Sequence, residues 1–275
     1  MARKKVLVSV TTYPLPSRSY DELVCTAGLL ENGEWIRIYP IPLSFLIGQR
    51  QSGNIESFKY TWIELELNKR TDDFRPESHS PQNYDFRDLV IHERIGTDGN
   101  WLKRKEIFLQ NVYSNFSQLI KDSEAPTNRS LATFKPTKIV GFEIQEDARE
   151  WKDEWLELRK QGDLFDTGKT PESTIPKLPY KFFYRFRDDV GKESRLMIED
   201  WEIGALYGNC LRAAEGNEAA ALEKVREKYE QEFLKEKDIY LFLGTTKEWH
   251  MRRAKNPFVI IGVFYPKIEA QMKLF

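Results

Sequence analysis

Cys25-Thr26-Ala27-Gly28-Leu29-Leu30-Glu31-Asn32-Gly33-Glu34-Trp35-Ile36-Arg37-Ile38-Tyr39-Pro40 reads as a β-hairpin, and a barrel can be built outward from it. Asn32-Gly33 supplies the positive φ angles that a tight hairpin turn needs. On the return strand, Trp35, Arg37 and Tyr39 share one face and Ile36 and Ile38 the other, because side chains alternate along a strand. Residues 23–30 form the outgoing strand, with Gly28 marking a bulge or a close backbone approach. Pro40 and Pro42 end the hairpin. Upstream, residues 6–10 are a β-branched run and read as a first strand, and Pro14 and Pro16 put 11–20 in a loop. Downstream, 58–67 alternates Trp62, Glu64 and Glu66 against Ile63, Leu65 and Leu67. Residues 68–81 are polar and turn-rich, and 89–95 is another strand.

From Trp101 the period changes. Ile107, Phe108, Val112, Phe116, Leu119 and Ile120 recur at three and four, which predicts that 101–121 is mainly helical. Residues 139–144 read as a strand and 147–161 as an amphipathic helix with Trp151, Trp155 and Leu158 on one side. Residues 162–179 are the best linker. Beyond them, 180–186 and 195–198 read as paired strands. Glu199-Asp200-Trp201-Glu202 opens a helix whose dipole favours acids in its first turn. Residues 218–234 form a charged helix, and 239–243 and 258–264 are apolar enough for strands buried on both faces. The expected class is α+β: an OB-like β-barrel part over 1–165, a mixed α/β part over 178–265, and a tail over 266–275.

Lys and Arg number 42 against 43 Asp and Glu, so the net charge is −1 and any basic surface must be local. Two cysteines, Cys25 and Cys210, are too few for a disulfide framework. No secretory apolar segment follows the first five residues, and no apolar run approaches the ~20 residues of a membrane span, so the expected location is cytoplasmic. Phosphate-binding Gly-rich loops, dinucleotide fingerprints and serine-hydrolase elbows are absent, which disfavours those enzyme classes and leaves no cofactor expected.

The residues that suit chemistry fall in three groups. Trp35, Arg37 and Tyr39 could stack bases and hold phosphates on a barrel face. Lys181, Arg185 and Arg187 give a basic strand, and Lys247, His250, Arg252, Arg253 and Lys255, with Trp249 interleaved, form the densest positive cluster. This supports nucleic-acid binding. The alternative is a metal-dependent nuclease, in which Asp72, Asp73 and Glu77, or Asp200 and Glu202, would clamp Mg²⁺ or Mn²⁺. His79, His92 and His250 lie in separate segments without the spacing of a zinc site. A third reading is a protein-interaction subunit whose basic loop meets protein.

Cys25, Ala27 and Gly28 followed by the Gly33 turn and Trp35-Ile36-Arg37 resemble the dual-OB-fold family of bacterial conflict (defence) systems. Uncharacterised bacterial proteins are similar over the longer run to Tyr39-Pro40, and again at Gly244-Thr245, His250, Phe258, Gly262 and Phe264. Gln271-Met272-Lys273-Leu274-Phe275 looks like the clamp-binding pentapeptide of bacterial replication and repair proteins. In such a motif Leu274 and Phe275 fill an apolar pocket, with Met272 beside them, and Gln271 fixes register by hydrogen bonding. The resemblance implies a DNA-associated protein recruited to the sliding clamp, in DNA repair, replication or antiviral defence. Its partners would be DNA or another nucleic acid, the clamp and other repair or defence subunits, with no membrane.

Overall fold

The computed structural model of the chain describes residues 2–12, 15–16, 22–53, 55–151 and 177–269. The predicted hairpin is present as β3 (Glu22–Leu30) and β4 (Trp35–Pro42), after β1 (Ala2–Thr11) and the short β2 (Leu15–Pro16). Helix α1 (Leu43–Gln51) follows, then β5 (Thr61–Lys69), β6 (Ser78–Pro81) and β7 (Val90–Arg94). The strands run β1-β3-β4-β6-β5, and β5 returns to pair with β1, so the sheet closes into a five-stranded, OB-like barrel. Its one parallel pair is β4 with β6. The sequence pattern alone puts β6 inside a turn-rich stretch, because four residues are too few to show alternation.

One strand can serve two neighbours only if it bends. β1 pairs Ala2 to Leu7 with β5 and Val6 to Thr11 with β3, and a bulge between Val8 and Val10 makes the bend. Val6 and Val8 point into the barrel with Ile36, Ile38, Ile63, Leu65 and Leu67. Leu7 and Val10 point outward, yet are as buried. A second layer covers them.

That layer begins with α2 (Asp98–Phe108), β8 (Val112–Tyr113), α3 (Phe116–Asp122), β9 (Leu131–Phe134) and β10 (Lys138–Glu146). The continuous helix expected over 101–121 is therefore split. Gly99, Asn100 and Trp101 take left-handed angles, and the Trp101 ring turns inward, 5.1 Å from Phe264. The helix expected over 147–161 is not formed at Asp147 to Trp151, and its remainder lies outside the described residues. Strands β11 (Tyr180–Arg187) and β12 (Glu193–Ile198) pair as expected, followed by α4 (Trp201–Ala213) and α5 (Glu218–Arg226). A π-helical turn (Glu227–Glu232) and α6 (Phe233–Glu236) lead to β13 (Tyr240–Thr245), α7 (Lys247–Met251) and β14 (Phe258–Phe264).

The second sheet runs β10-β11-β12-β14-β13-β9-β8. β9 and β10 are separated only by Lys135-Pro136-Thr137, so they act as one bent strand, as β1 does. β9 pairs with β13 and β10 with β11, and β12 pairs with β14 in parallel, as the short β8 does with β9. Helices again sit between the third and fourth barrel strands. The strand order of the first barrel is thus repeated, and β8, β9 and β10 hydrogen-bond into the second sheet, not the first.

Three apolar clusters result. One fills the first barrel and one, rich in Phe and Tyr, fills the second. The third joins them: Leu7, Val10, Ala27, Leu29 and Trp62 from the first barrel meet Leu131, Phe242, Ile261 and Phe264 from the second. Burying each large side chain there contributes about 1.5–3 kcal/mol. This explains why β1, β13 and β14 read as unbroken apolar runs: both of their faces are covered. Gly28 permits the close approach of β3 to β1, since a Cβ there would lie 2.3 Å from the Leu7 carbonyl oxygen. Gly28→Ala is expected to lose about 1–3 kcal/mol in denaturant unfolding; an unchanged midpoint would refute the close-approach account.

Candidate nucleic-acid interface

The structure separates the sequence-predicted contacts by exposure and by partner. On β4, Arg37 is only 4% exposed. Its Nη1 donates to Ser130 Oγ (2.8 Å) and Ser78 Oγ (3.2 Å), and its Nη2 donates to Ser130 O (3.2 Å). Burial lowers its pKa from the ordinary arginine value. Arg37 is therefore a strut between the barrels and is not presented to a ligand. The outer face of β3 and β4, which OB domains use for ligands, is covered here by the second barrel. Trp35 packs edge-on to Phe242 at 5.2 Å. Tyr39 stays at the surface beneath the Arg70 guanidinium, 5.6 Å from its ring.

The basic strand is neutralised by its neighbours. Lys181 pairs with Asp147 (3.0 Å), Arg185 with Glu143 (2.8 Å) and Glu193 (3.0 Å), and Arg187 with Glu193 (3.5 Å). Arg195 pairs with Glu143 at 2.7 Å. Glu143 and Glu193 sit on adjacent strands and Asp147 directly follows β10, an arrangement that the linear sequence does not reveal.

The basic loop folds as α7 and the turn after it. Thr246 caps the helix by accepting from the Trp249 amide (3.3 Å). His250 is buried: its Nε2–H donates to the Ser123 carbonyl (2.5 Å), which fixes the tautomer, and its Nδ1 lies 3.0 Å from Thr245 Oγ1. Burial lowers its pKa, so it is a neutral pin and not a phosphate contact. Lys247 Nζ donates to Asp72 O (2.7 Å), and Arg252 pairs with Glu248 (2.8 Å). Arg253 and Lys255 make no side-chain hydrogen bond or ion pair among the described residues. Trp249 and Met251 are 54% and 60% exposed.

The acidic candidates are mostly engaged. Asp72 is held by Arg70, whose hydrogen bonds lower its pKa. Burial alone would raise Asp73, but Arg75 at 2.7 Å more than offsets this and keeps it ionised. Glu77 accepts from Ser130 Oγ (2.6 Å) and Ser130 N (3.0 Å). Among the described residues, no group of three or more His, Cys, Asp or Glu converges. Asp200 caps α4 through Oδ1, which accepts from the Glu202 amide at 3.0 Å, and Oδ2 has no hydrogen-bond partner. Its neighbour Glu202 forms an ion pair with Lys59.

A cleft lies between the barrels, and most of its polar residues escape a reading of the sequence. This cleft of about 830 Å³ is lined by Lys4, Trp35, Lys69, His79, Tyr113 and Arg129, among others. Lys69 Nζ is spent on the carbonyls of Arg75 (2.8 Å), Pro76 (2.7 Å) and Ser78 (3.3 Å), and burial lowers its pKa. His79 is likewise lowered by burial and is neutral near pH 7. Arg129 differs. Its guanidinium lies over the Tyr113 ring at 5.7 Å, its Nε is buried without a hydrogen-bond partner, and no carboxylate pairs with it among the described residues. Tyr113 is fixed by donating to Asp122 Oδ2 at 2.8 Å, and burial with that bond pushes its pKa up to about 12. Glu77 and Glu34 also line the cleft, but Glu77 is engaged by Ser130 and Glu34 by Asn32 (2.9 Å). Arg129 sits in a stretch marked only by Pro, Thr and Asn, so its sequence signal is that of a turn.

Two OB-like barrels in tandem, sharing an apolar seam, define the class of protein. The chain belongs to the family described as domain of unknown function DUF8757, which it matches over residues 113–275, and residues 2–110 match domain of unknown function DUF8758. The division falls where the first barrel hands over to β8. No curated protein matches the chain. Among solved structures it is similar to a murine DNA-binding protein bound with double-stranded DNA, at 8% identity and TM-score 0.31, covering 98% of this chain and 97% of that one. The tetrameric p202 HIN2 is similar at 8% identity and TM-score 0.30, covering 98% and 92%. Likenesses this faint carry no argument about the ligand. Among the described residues no helix is long and apolar enough to cross a membrane.

Asp200, whose backbone bridges to Thr12 of the first barrel, carries a pH dependence. Burial, with Glu202 nearby, pushes the Asp200 carboxyl up to about 7, and Lys59 opposes this only in part. Unfolded, it titrates near its ordinary value of about 3.9. Between those values the folded chain binds the extra proton, so Asp200 costs stability as pH rises through the window, by up to about 1.4 kcal/mol per pH unit. Asp200→Asn retains a capping oxygen and binds no proton. Its unfolding free energy should fall less, or rise more, from pH 4 to pH 7 than that of the parent; an identical slope would refute the assignment.

Proposed function

We propose that the chain is a nucleic-acid-binding protein that holds a single strand in the cleft between its barrels. The observation that carries this is Arg129, a guanidinium without an ion-pair partner among the described residues, which lies over the Tyr113 ring in a cavity of about 830 Å³. A guanidinium matches phosphate geometry, and an adjacent aromatic ring offers a base a stacking surface. Lys4 adds a second cation at the rim, and Trp35 a second ring. The size is that of a pocket for one or two nucleotides, within the ~300–1,000 Å³ of small-ligand sites, and a duplex does not enter it. The overall charge of −1 favours a local contact over a broad electrostatic footprint.

Within the same proposal, residues 271–275 tether the protein to the sliding clamp through Gln271, Met272, Leu274 and Phe275. The support is the pentapeptide itself, which lies outside the described residues. A role in DNA repair or replication rests on the resemblance of that pentapeptide, and one in defence against foreign DNA on the resemblance of the β3–β4 hairpin.

Binding of a labelled 12-nucleotide strand tests the cleft. Arg129→Gln should weaken it about tenfold and reduce the salt slope by about 0.7, the loss of one single-strand phosphate contact. Equal affinity and slope in parent and variant, with unchanged melting temperature, would overturn the proposal. Recovery of the clamp by the intact protein and by Leu274→Ala/Phe275→Ala tests the tether; equal recovery removes it.

A further inference from the structure

We infer that the strand held in the cleft continues outward over residues 72–76 to the exposed Trp249, so that α7 is a second stacking platform for the same ligand. This rests on the proposed function, and its geometry is independent of Arg129. Two segments have one end in the cleft and the other at α7. The first joins β5 to β6: Pro76 and Glu77 line the cleft, while Asp72 O accepts from Lys247 Nζ (2.7 Å) and Arg75 Nη1 donates to Thr245 O (2.8 Å). The second precedes β9: Thr127 and Arg129 line the cleft, and Ser123 O holds His250 (2.5 Å). Asp72 to Pro76 spans at most about 14 Å even when fully extended, so cleft and helix are neighbours.

The surface between them is suited to bases. Phe74 is 42% exposed, and its ring stands edge-on to His250 at 4.8 Å. Trp249 and Met251 are exposed on the same helix as His250. The acids of residues 72–76 and α7, Asp72, Asp73 and Glu248, are paired with Arg70, Arg75 and Arg252, whereas Arg253 and Lys255 keep their charge unpaired among the described residues. His250 pins the helix from beneath and keeps Trp249 turned outward. Cleft, Phe74 and Trp249 together give a track in the range of about 4–16 nucleotides that single-strand sites on OB folds occupy.

Oligonucleotides of different length, titrated by anisotropy or competition, test this. Trp249→Ala should weaken a 12-nucleotide strand about tenfold and leave a three-nucleotide strand unchanged. Arg129→Gln should weaken both. If Trp249→Ala binds every length as the parent does while Arg129→Gln weakens both, the extension is overturned and the cleft stands. If neither variant loses affinity, both fall. Trp249 is exposed, so unchanged melting of the variant confirms that any loss arises at the surface.

Discussion

The Arg37–Ser130–Glu77 contact holds the two barrels in one arrangement. Arg37 comes from β4, Glu77 from the segment before β6, and Ser130 from the entry to β9. Beside it, Asp73–Arg75 reaches Thr245 at the end of β13. Two cations and two carboxylates are thus buried together with no net charge. Buried charges are tolerated only when their hydrogen bonds are satisfied, and removing one partner costs roughly 3–5 kcal/mol because the other is left uncompensated. The apolar seam around Phe242 supplies attraction without direction; the charged contact supplies direction. It sets the angle at which the barrels meet, and with it the width of the cleft.

That arrangement has a consequence for ligand binding. The outer face of β3 and β4 becomes an internal surface, with Ala27 and Leu29 fully covered. A binding function must therefore use an edge. The cleft is such an edge, since it has walls from both barrels: Lys4, Trp35 and His79 from the first, Tyr113 and Arg129 from the second. Repetition of one strand order makes this possible. Each barrel bends its first strand, at the Val8–Val10 bulge in one and across Lys135-Pro136-Thr137 in the other, and each leaves its fourth strand facing the seam. No repeat is visible along the chain, because strand order does not require similar residues.

Several basic residues that look available along the chain are occupied in three dimensions. Arg185 and Arg187 alternate on one strand face, which is a genuine sequence signal, but Glu143 and Glu193 stand opposite on neighbouring strands. His250 lies in a basic loop, yet its side chain points inward to Ser123 and Thr245. Arg129 has the reverse history. Flanked by Asn128 and Ser130 in a turn, it has no local pattern, and only the approach of Tyr113 gives it a stacking partner. Charge count along a segment reports what is present; pairing decides what is free.

The sequence by itself determined the hairpin and its turn, where only Gly33 of the Asn32-Gly33 pair takes a positive φ, the alternation of β5, the acid-capped start of α4 and the doubly buried runs of β13 and β14. These are local properties, set by backbone angles, side-chain alternation and hydrophobic period, and they define an α+β chain with an OB-like start. Only the tertiary structure decided that β6 closes the first barrel in parallel, that 101–121 is interrupted by β8 between Phe108 and Phe116, and that Arg37 is a strut. It also decided that a second barrel repeats the first. Each of these depends on contacts between residues far apart in the chain. The free energy that selects them, burial of the shared seam and compensation of its charges, has no counterpart in any short window of sequence.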